Sequence, residues 1–322
     1  MKRWRFVLFG ALLACPLLSV GAAAQSYPNR PIRLIAPFPP GGPLDVMARL
    51  VALQLSASLG QVIVDNRPGA GATLGGKAVA TAEPDGYTLL MGSSGSLAIG
   101  PALYGNAGYD PIKSFVPVAM VSNVPYVMVA ANNAPFKSVA GLLAYAQANP
   151  GTLNIGVPNG APPHVLALSF KQLTGADVVI VPYRGAATVI TDLIGGQIHV
   201  GFETTSVMFS HLHEGKVQGL GVVTEARLPE IPDVPTMKES GVPALVGSSW
   251  TGVLAPAGTP ADIVAKLRAE ITAGLKMPDM QEKLRKMAAE PMFQSPEEFS
   301  QLISSEVQRI GAIIRASGAK GE

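Results

Sequence analysis

The hydrophobic rhythm of the chain changes period repeatedly. "IRLIA" is a short apolar run; Pro and Gly follow it, and "PLDVMARLVALQL" then spaces its apolar residues as a helix does. "VIVDNRPGAGATLGGKAVA" supplies a β-branched strand, an Arg-Gly turn and a second helix, and "YTLLMGSSGS" a third strand ending in Gly and Ser. The same cycle returns in "LNIGVPNGAPPHVLALSFKQL", "VVIVPYRGAATVITDLIGGQ" and "IHVGFETTS". Internal spacings agree: Pro37 to Asp45 is eight residues and Pro158 to His164 six, while Asp45 to Arg67 is 22 and His164 to Arg184 is 20. Units of this βαβαβ kind build parallel sheets with helices on both faces, because each crossover must be long and right-handed. Two copies predict two similar α/β lobes facing each other.

The remaining segments fill out these lobes. "FVPVAMVS" and "YVMVAA" are expected as successive strands, with Asn123 and Pro125 between them at a crossing from the first lobe to the second. "SVAGLLAYAQANPG" reads as a helix stopped by Pro150 and Gly151, and "QGLGVVT" as a further strand. The Pro- and Gly-rich stretch 225–247 is the return path, and "WTGVLAP" a strand back in the first lobe. The expected division is 27–123 with 247–322 for lobe one, and 124–246 for lobe two. Three helices close the chain. Thr259 is expected to cap the first, with Pro260 leading, and Ser295 with Glu298 forms a capping box around Pro296 in the last. These helices read as scaffold without chemistry.

Composition alters this picture mainly at the N-terminus. "MKRWRFVLFGALLACPLLSVGAAAQS" has a basic head, an apolar middle and a small-residue cleavage site, the pattern of a secretory signal peptide over 1–24. Cleavage after Ala24 leaves 298 of the 322 residues. It also removes three of the 24 basic residues and none of the 22 acidic ones, so the mature balance is 21 against 22. The argument for a nucleic-acid partner goes with that lost charge. Cys15 is the sole cysteine and lies in the leader, so neither a disulfide nor a thiolate nucleophile is expected in the mature chain. A lipoprotein reading, with Cys15 lipidated, is disfavoured by Leu13, by Pro16 and by the apolar run beyond.

Open parallel sheets bind ligands outside the carboxyl ends of their strands. That rule selects segments 37–43, 66–73 and 92–97, then 158–163, 182–188 and 203–206. All are dominated by small residues, whose free N–H groups and hydroxyls at helix N-termini suit an anion, particularly a carboxylate. In the first segment Gly41 and Gly42 admit a ligand to the main chain, with Gly42 as N-cap, Pro43 first in the helix and Asp45 third. Phe38 and Pro40 flank them. Asp45 either compensates the helix dipole or touches ligand. Ser93, Ser94 and Ser96 end the third strand, as Thr204, Thr205 and Ser206 end its counterpart, and each set either meets ligand or caps a helix. Glu203 could face an ammonium group or simply be a solvated strand end. Asn159, Gly160 and His164 belong to the second unit's first segment, and Tyr183, Gly185, Ala186 and Thr188 to its second. Arg67 and Arg184 either grip a carboxylate or tie their turns to a neighbouring acid.

Other chemistries lack their patterns. His211 and His213 do not have a recognisable metal spacing, and no Walker loop, dinucleotide fingerprint or nucleophile elbow is present. No metal and no cofactor is expected. A secreted hydrolase using Ser94 with His164 remains as the rival class.

Together "YPNRPIRLIAPFPPGG", "NRPGAG", "PDGYTLL", "VPYRGAA", "GGQI", "IPDVPTMKESGVP" and "GVLAPAGTP" resemble the Bug (TctC-like) solute receptors of tripartite tricarboxylate transport, in order and over essentially the whole mature chain. The resemblance implies an α/β fold of the two-lobed periplasmic-binding-protein (type II) kind. It also implies a periplasmic receptor, not an enzyme, that captures a small carboxylate or carboxylated amino acid for membrane transporter subunits or a sensor protein. Carried over by position, Phe38 to Asp45 and Val181 to Thr188 are the opposed ligand loops. One departure is Gly100 before Pro101, where the family often has Asn.

Overall fold

The computed structural model describes residues 27–159, 161–287 and 289–319. The expected leader with Cys15 lies outside the described residues, and so does Gly160. Both repeats form as the hydrophobic periods require. In the first, β1 (Ile32–Ala36) lies between and parallel to β2 (Val62–Asn66) and β3 (Thr88–Ser93), with α1 (Pro43–Leu59) and α2 (Thr73–Ala80) as crossovers. In the second, β5 (Leu153–Pro158) lies between β6 (Val178–Tyr183) and β7 (Val200–Thr204), with α5 (Pro162–Thr174) and α6 (Ala186–Ile194) as crossovers. Neighbouring positions of β1 enter different cores. Leu34 packs with Met47, Leu55 and Leu267, while Ile35 packs with Leu90, Trp250 and Phe299. A strand buried on both faces explains why "IRLIA" shows no alternation.

Two antiparallel strands join the repeats. β9 (Ser248–Pro256) pairs β3, and β4 (Phe115–Ala131) pairs β9 along its first part and β7 along its second, giving the order β2-β1-β3-β9-β4-β7-β5-β6. β8 (Val217–Val222) and the short β10 (Glu290–Pro291) also pair β4. The two runs expected as separate strands on either side of Asn123 and Pro125 are therefore one 17-residue strand. Proline is tolerated there because Pro125 ends the pairing with β9, and pairing with β7 begins at Tyr126.

The short α3 (Gly100–Tyr104) precedes β4, α4 (Val139–Ala148) is capped by Ser138, whose hydroxyl accepts from Gly141 N–H, and α7 (Thr205–His213) follows β7 directly. At the C-terminus α8 (Ala261–Leu275), α9 (Pro278–Lys286) and α10 (Pro296–Ser317) form. The capping box of α10 is present, Ser295 and Glu298 bonding reciprocally. Thr259 does not cap α8. Its hydroxyl donates to Pro256 O at 2.8 Å, and the helix starts at Ala261 behind Pro260. No described helix is long and apolar enough to cross a membrane.

Candidate functional site

The strand registers carry the carboxyl ends of both repeats to one place. Ser93 at the end of β3 faces Thr251 of β9, Thr251 faces Ser122 of β4, and Tyr126 of β4 faces Thr204 at the end of β7. Ser122 and Tyr126 are four residues apart on one strand, so about 13 Å separates the two sets of loops at the level of the sheet. The Ser122 and Thr251 hydroxyls bond each other at 2.8 Å and are buried, fixing the crossing.

The first loop is held from beneath. Gly42 is the N-cap of α1, Pro43 its first residue, and Val46 N–H donates to Gly42 O at 3.0 Å. Asp45 is 2 % exposed. Its Oδ2 accepts from Gly41 N–H and Arg49 Nε, both at 2.9 Å, and its Oδ1 accepts from Asn66 Nδ2 at 2.8 Å. Asn66 Nδ2 also donates to Phe38 O at 3.1 Å. The Arg49 hydrogen bond above all lowers the Asp45 carboxyl to about 2, against the desolvation that opposes it. Both oxygens of Asp45 are thus engaged within the protein, fastening a loop whose Pro40 and Gly41 remain exposed.

The two glycines differ. Gly41 has φ +81, which disfavours any side chain, whereas Gly42 has φ −75 and a Cβ there would meet only Pro39 O at 3.5 Å. Gly41→Val is therefore expected to cost about 1–2 kcal/mol in strain and to displace the loop, while Gly42→Ala stays within about 1 kcal/mol of the parent. Paired melting curves of the two variants check this. Equal stability of Gly41→Val and Gly42→Ala would remove the argument for the left-handed turn.

The other loops of the first repeat pack onto this one. A Cβ at Gly95 would lie 2.8 Å from Phe38 Cζ, so the Phe38 ring covers that glycine. Ser93 and Ser94 are 8 % and 3 % exposed. Ser96 closes the turn, its hydroxyl accepting from Ser93 N–H at 3.1 Å. Arg67 is tied to Asp65 at 3.1 Å. A Cβ at Gly100 would stand 2.3 Å from Gly71 O, and this crowding explains why glycine precedes Pro101.

In the second repeat Asn159 N–H donates to Tyr183 O at 2.9 Å, joining the ends of β5 and β6. The Tyr183 hydroxyl donates to Asp192 at 2.7 Å, and partial burial together with that acid pushes its phenol up to about 12. Gly185 caps α6 in extended conformation, Ala186 begins the helix, and Thr188 Oγ1 donates to Gly185 O at 2.8 Å. Arg184 is exposed and, unlike Arg67, forms no ion pair among the described residues. His164 is half-buried in the first turn of α5, and burial lowers its pKa. Thr204 is the N-cap of α7 and accepts from Ser206 Oγ at 3.0 Å. Glu203 is no solvated strand end, being 8 % exposed, with desolvation raising its pKa.

The structure adds residues that strand and loop patterns did not single out. Tyr126 is buried, and burial holds its phenol well above the ordinary range, with the charges of Glu203 and Glu306 acting in the same direction. Ser94, Tyr126, Pro162, Gly247, Glu306 and Arg309 line one crevice between the repeats, to which α10 contributes the polar Glu306 and Arg309. Glu306 pairs with Arg309, and its place among Phe299, Ile303, Ile310 and Ile314 was the available signal: an acid on the core-facing stripe of a helix.

Comparison with known proteins bears on this geometry. Residues 47–319 match the family model described as tripartite tricarboxylate transporter family receptor. The chain is 36 % identical over 316 residues to protein BugT of Bordetella pertussis, covering 97 % of each. Among solved structures, it is similar to the periplasmic binding protein BugD, with 33 % identity, a TM-score of 0.76, and coverage of 92 % of this chain and 100 % of that one. A protein of R. palustris solved with adipate is 34 % identical with a TM-score of 0.79, over 91 % and 99 % of the two chains. MatC from Rhodopseudomonas palustris, solved with bound malate, is 32 % identical with a TM-score of 0.76, over 89 % and 100 %.

Proposed function

The chain belongs to the tripartite tricarboxylate transporter receptor family, and on that premise we propose that it captures a small carboxylate between its two sets of strand-end loops. The lobes are 27–123 with 247–322, and 124–246. The protein acts in the periplasm, releases its ligand chemically unchanged, and delivers it to membrane transporter subunits. Adipate and malate in two relatives of similar fold support the ligand class.

One observation carries this reading: the carboxyl ends of two oppositely running sets of three parallel strands face each other across β9 and β4, and α1, α5, α6 and α7 start just beyond those ends. Helix N-termini and backbone N–H groups hold negative charge at little reorganisation cost. On the first jaw Gly41 and Gly42 expose backbone, with Phe38 and Pro40 beside them and Asp45 behind. On the second, Asn159, His164, Tyr183, Gly185, Ala186 and Thr188 surround the opposing face. Ser93, Ser94, Glu203 and Thr204 stand at the strand ends between them. Arg184 brings the positive charge.

Arg184→Ala is expected to weaken carboxylate binding about tenfold or more, with an unchanged melting temperature, because an exposed arginine without an ion pair contributes little to folding. Equilibrium titration of parent and variant at two salt concentrations checks it. The parent's affinity should fall with salt more steeply than the variant's. Equal affinity and equal salt dependence would place Arg184 outside the site.

A further inference from the structure

The last helix serves two partners along one apolar stripe. Phe299 and Ile303 of α10 pack into the core of the first repeat with Ile35, Leu90 and Trp250. Two turns further on, Ile310 and Ile314 leave that core and form a separate buried cluster with Ala98, Ile99 and Val165. Ala98 and Ile99 lie in the turn Gly95–Ile99, just after Ser93 and Ser94 of the first repeat. Val165 is the fourth residue of α5, just after the loop that follows β5 of the second repeat. None of the five side chains is more than 5 % exposed. Two strand-end loops on opposite sides of the crevice are thus each a few residues from a shared apolar seat on α10.

This seat is built as a contact that can part. It is small beside the main cores of the two repeats and belongs to neither. At its edge lies the crevice to which Ser94, Pro162, Glu306 and Arg309 contribute. Glu306 and Arg309 pair there, their side chains 11 % and 29 % exposed. A Cβ at Gly247 would stand 3.1 Å from Leu166 Cδ2, so the return segment also closes on α5. An ion pair held away from water gives up solvation that it recovers when the crevice widens. Burial of the isoleucines and the valine opposes that widening. Apolar contact and ion-pair hydration therefore pull in opposite directions across one seam.

We infer that the cluster of Ala98, Ile99, Val165, Ile310 and Ile314 is a latch between the repeats. It holds α5 on α10 in the ligand-free protein, and its parting lets the two sets of strand-end loops move apart. Phe299 and Ile303 anchor α10 in one repeat, and Ile310 and Ile314 grip the other. The inference goes beyond carboxylate capture and does not depend on it.

A distance measurement between two spin labels on the ligand-free chain tests this. The labels go on Leu53→Cys of α1 and Leu173→Cys of α5, both exposed positions, in a Cys15→Ser background that removes the sole native cysteine. The parent should give one narrow distance distribution. Val165→Ser and Ile314→Ser weaken the latch from its two sides, and each should broaden the distribution and shift its mean. Val178→Ala truncates the core of the second repeat instead; it should lower the melting temperature and leave the parent's distribution unchanged. Distributions unaltered in both serine variants would overturn the inference. A parent already as broad as those variants, or an equal shift in Val178→Ala, would overturn it too. Where Val165→Ser does not fold, Ile314→Ser decides alone. Every outcome is read without ligand, so carboxylate capture stands or falls separately.

Discussion

Asp45→Ala is expected to lower the stability of the protein by about 2–3 kcal/mol and to weaken ligand binding about tenfold or more. The carboxylate is 2 % exposed and accepts three hydrogen bonds, from Gly41, Arg49 and Asn66. Removing it strips the partner from Asn66, which also holds Phe38 O, and frees the Gly41 N–H that sets the loop's path. A loop of two or three residues released in this way must be ordered again on binding, at about 1–2 kcal/mol per residue. Arg49→Ala should be much milder, since Arg49 is 56 % exposed and only one of the three bonds is lost. Acid gives an independent readout. The folded carboxyl titrates at about 2 against an ordinary 3.8. Its stabilisation is therefore complete above pH ~4 and is lost as pH falls through ~2. Asp45→Ala should accordingly show a shallower acid loss of stability than the parent across that window. Unchanged melting and affinity in Asp45→Ala would refute its role as the fastener of the loop.

The second large effect is expected at Gly100. A methyl there would lie 2.3 Å from Gly71 O, 2.9 Å from Thr73 Cγ2 and 3.0 Å from Gly95 O. Two of these neighbours are backbone atoms, and Gly71 is held at φ +61, so no flexible side chain can move aside. Gly100→Ala should cost about 3 kcal/mol or more in stability, far beyond the roughly 1 kcal/mol that alanine gains in helix propensity. Binding should fall with it, since the loops after β2 and β3 touch at this contact. Gly185→Ala is the control: its backbone is extended at φ −176 and a Cβ there meets nothing within 4 Å, so stability should stay within about 1 kcal/mol. Melting curves of both variants decide it. A Gly100→Ala protein as stable as Gly185→Ala would show that this packing is soft.

How far the sequence carried depends on which physical signal each feature rests on. Repeated units were legible because burial on both faces leaves "IRLIA" and "LNIGV" as mainly apolar runs, each interrupted only at its second residue, with Pro and Gly close after them. The start of α1 was legible for a similarly local reason: Pro43 has no N–H to lose and Asp45 sits where the dipole favours it. Long-range pairing left weaker traces. β4 was read as two strands because Pro125 breaks pairing locally, and only the exchange of β9 for β7 makes it harmless. Ser122, Thr251 and Tyr126 sit within apolar strands, and their meeting depends on a register between segments more than a hundred residues apart. Glu306 did leave a local mark, an acid on the apolar stripe of α10, which composition alone obscured. Arg67 and Arg184 look alike in the sequence, and only Asp65 beside one of them separates their roles.

The central claim is that opposed backbone-rich loops capture a carboxylate and leave it intact. Thermal melting of the purified chain with a panel of di-, tri-, aromatic and amino carboxylates, with product analysis of each mixture, tests it most directly. At least one acid should stabilise the protein by about 2.7 kcal/mol at a hundredfold excess over its Kd and be recovered unchanged. No stabilisation by any carboxylate, together with consumption of an ester or amide offered in parallel, would contradict it.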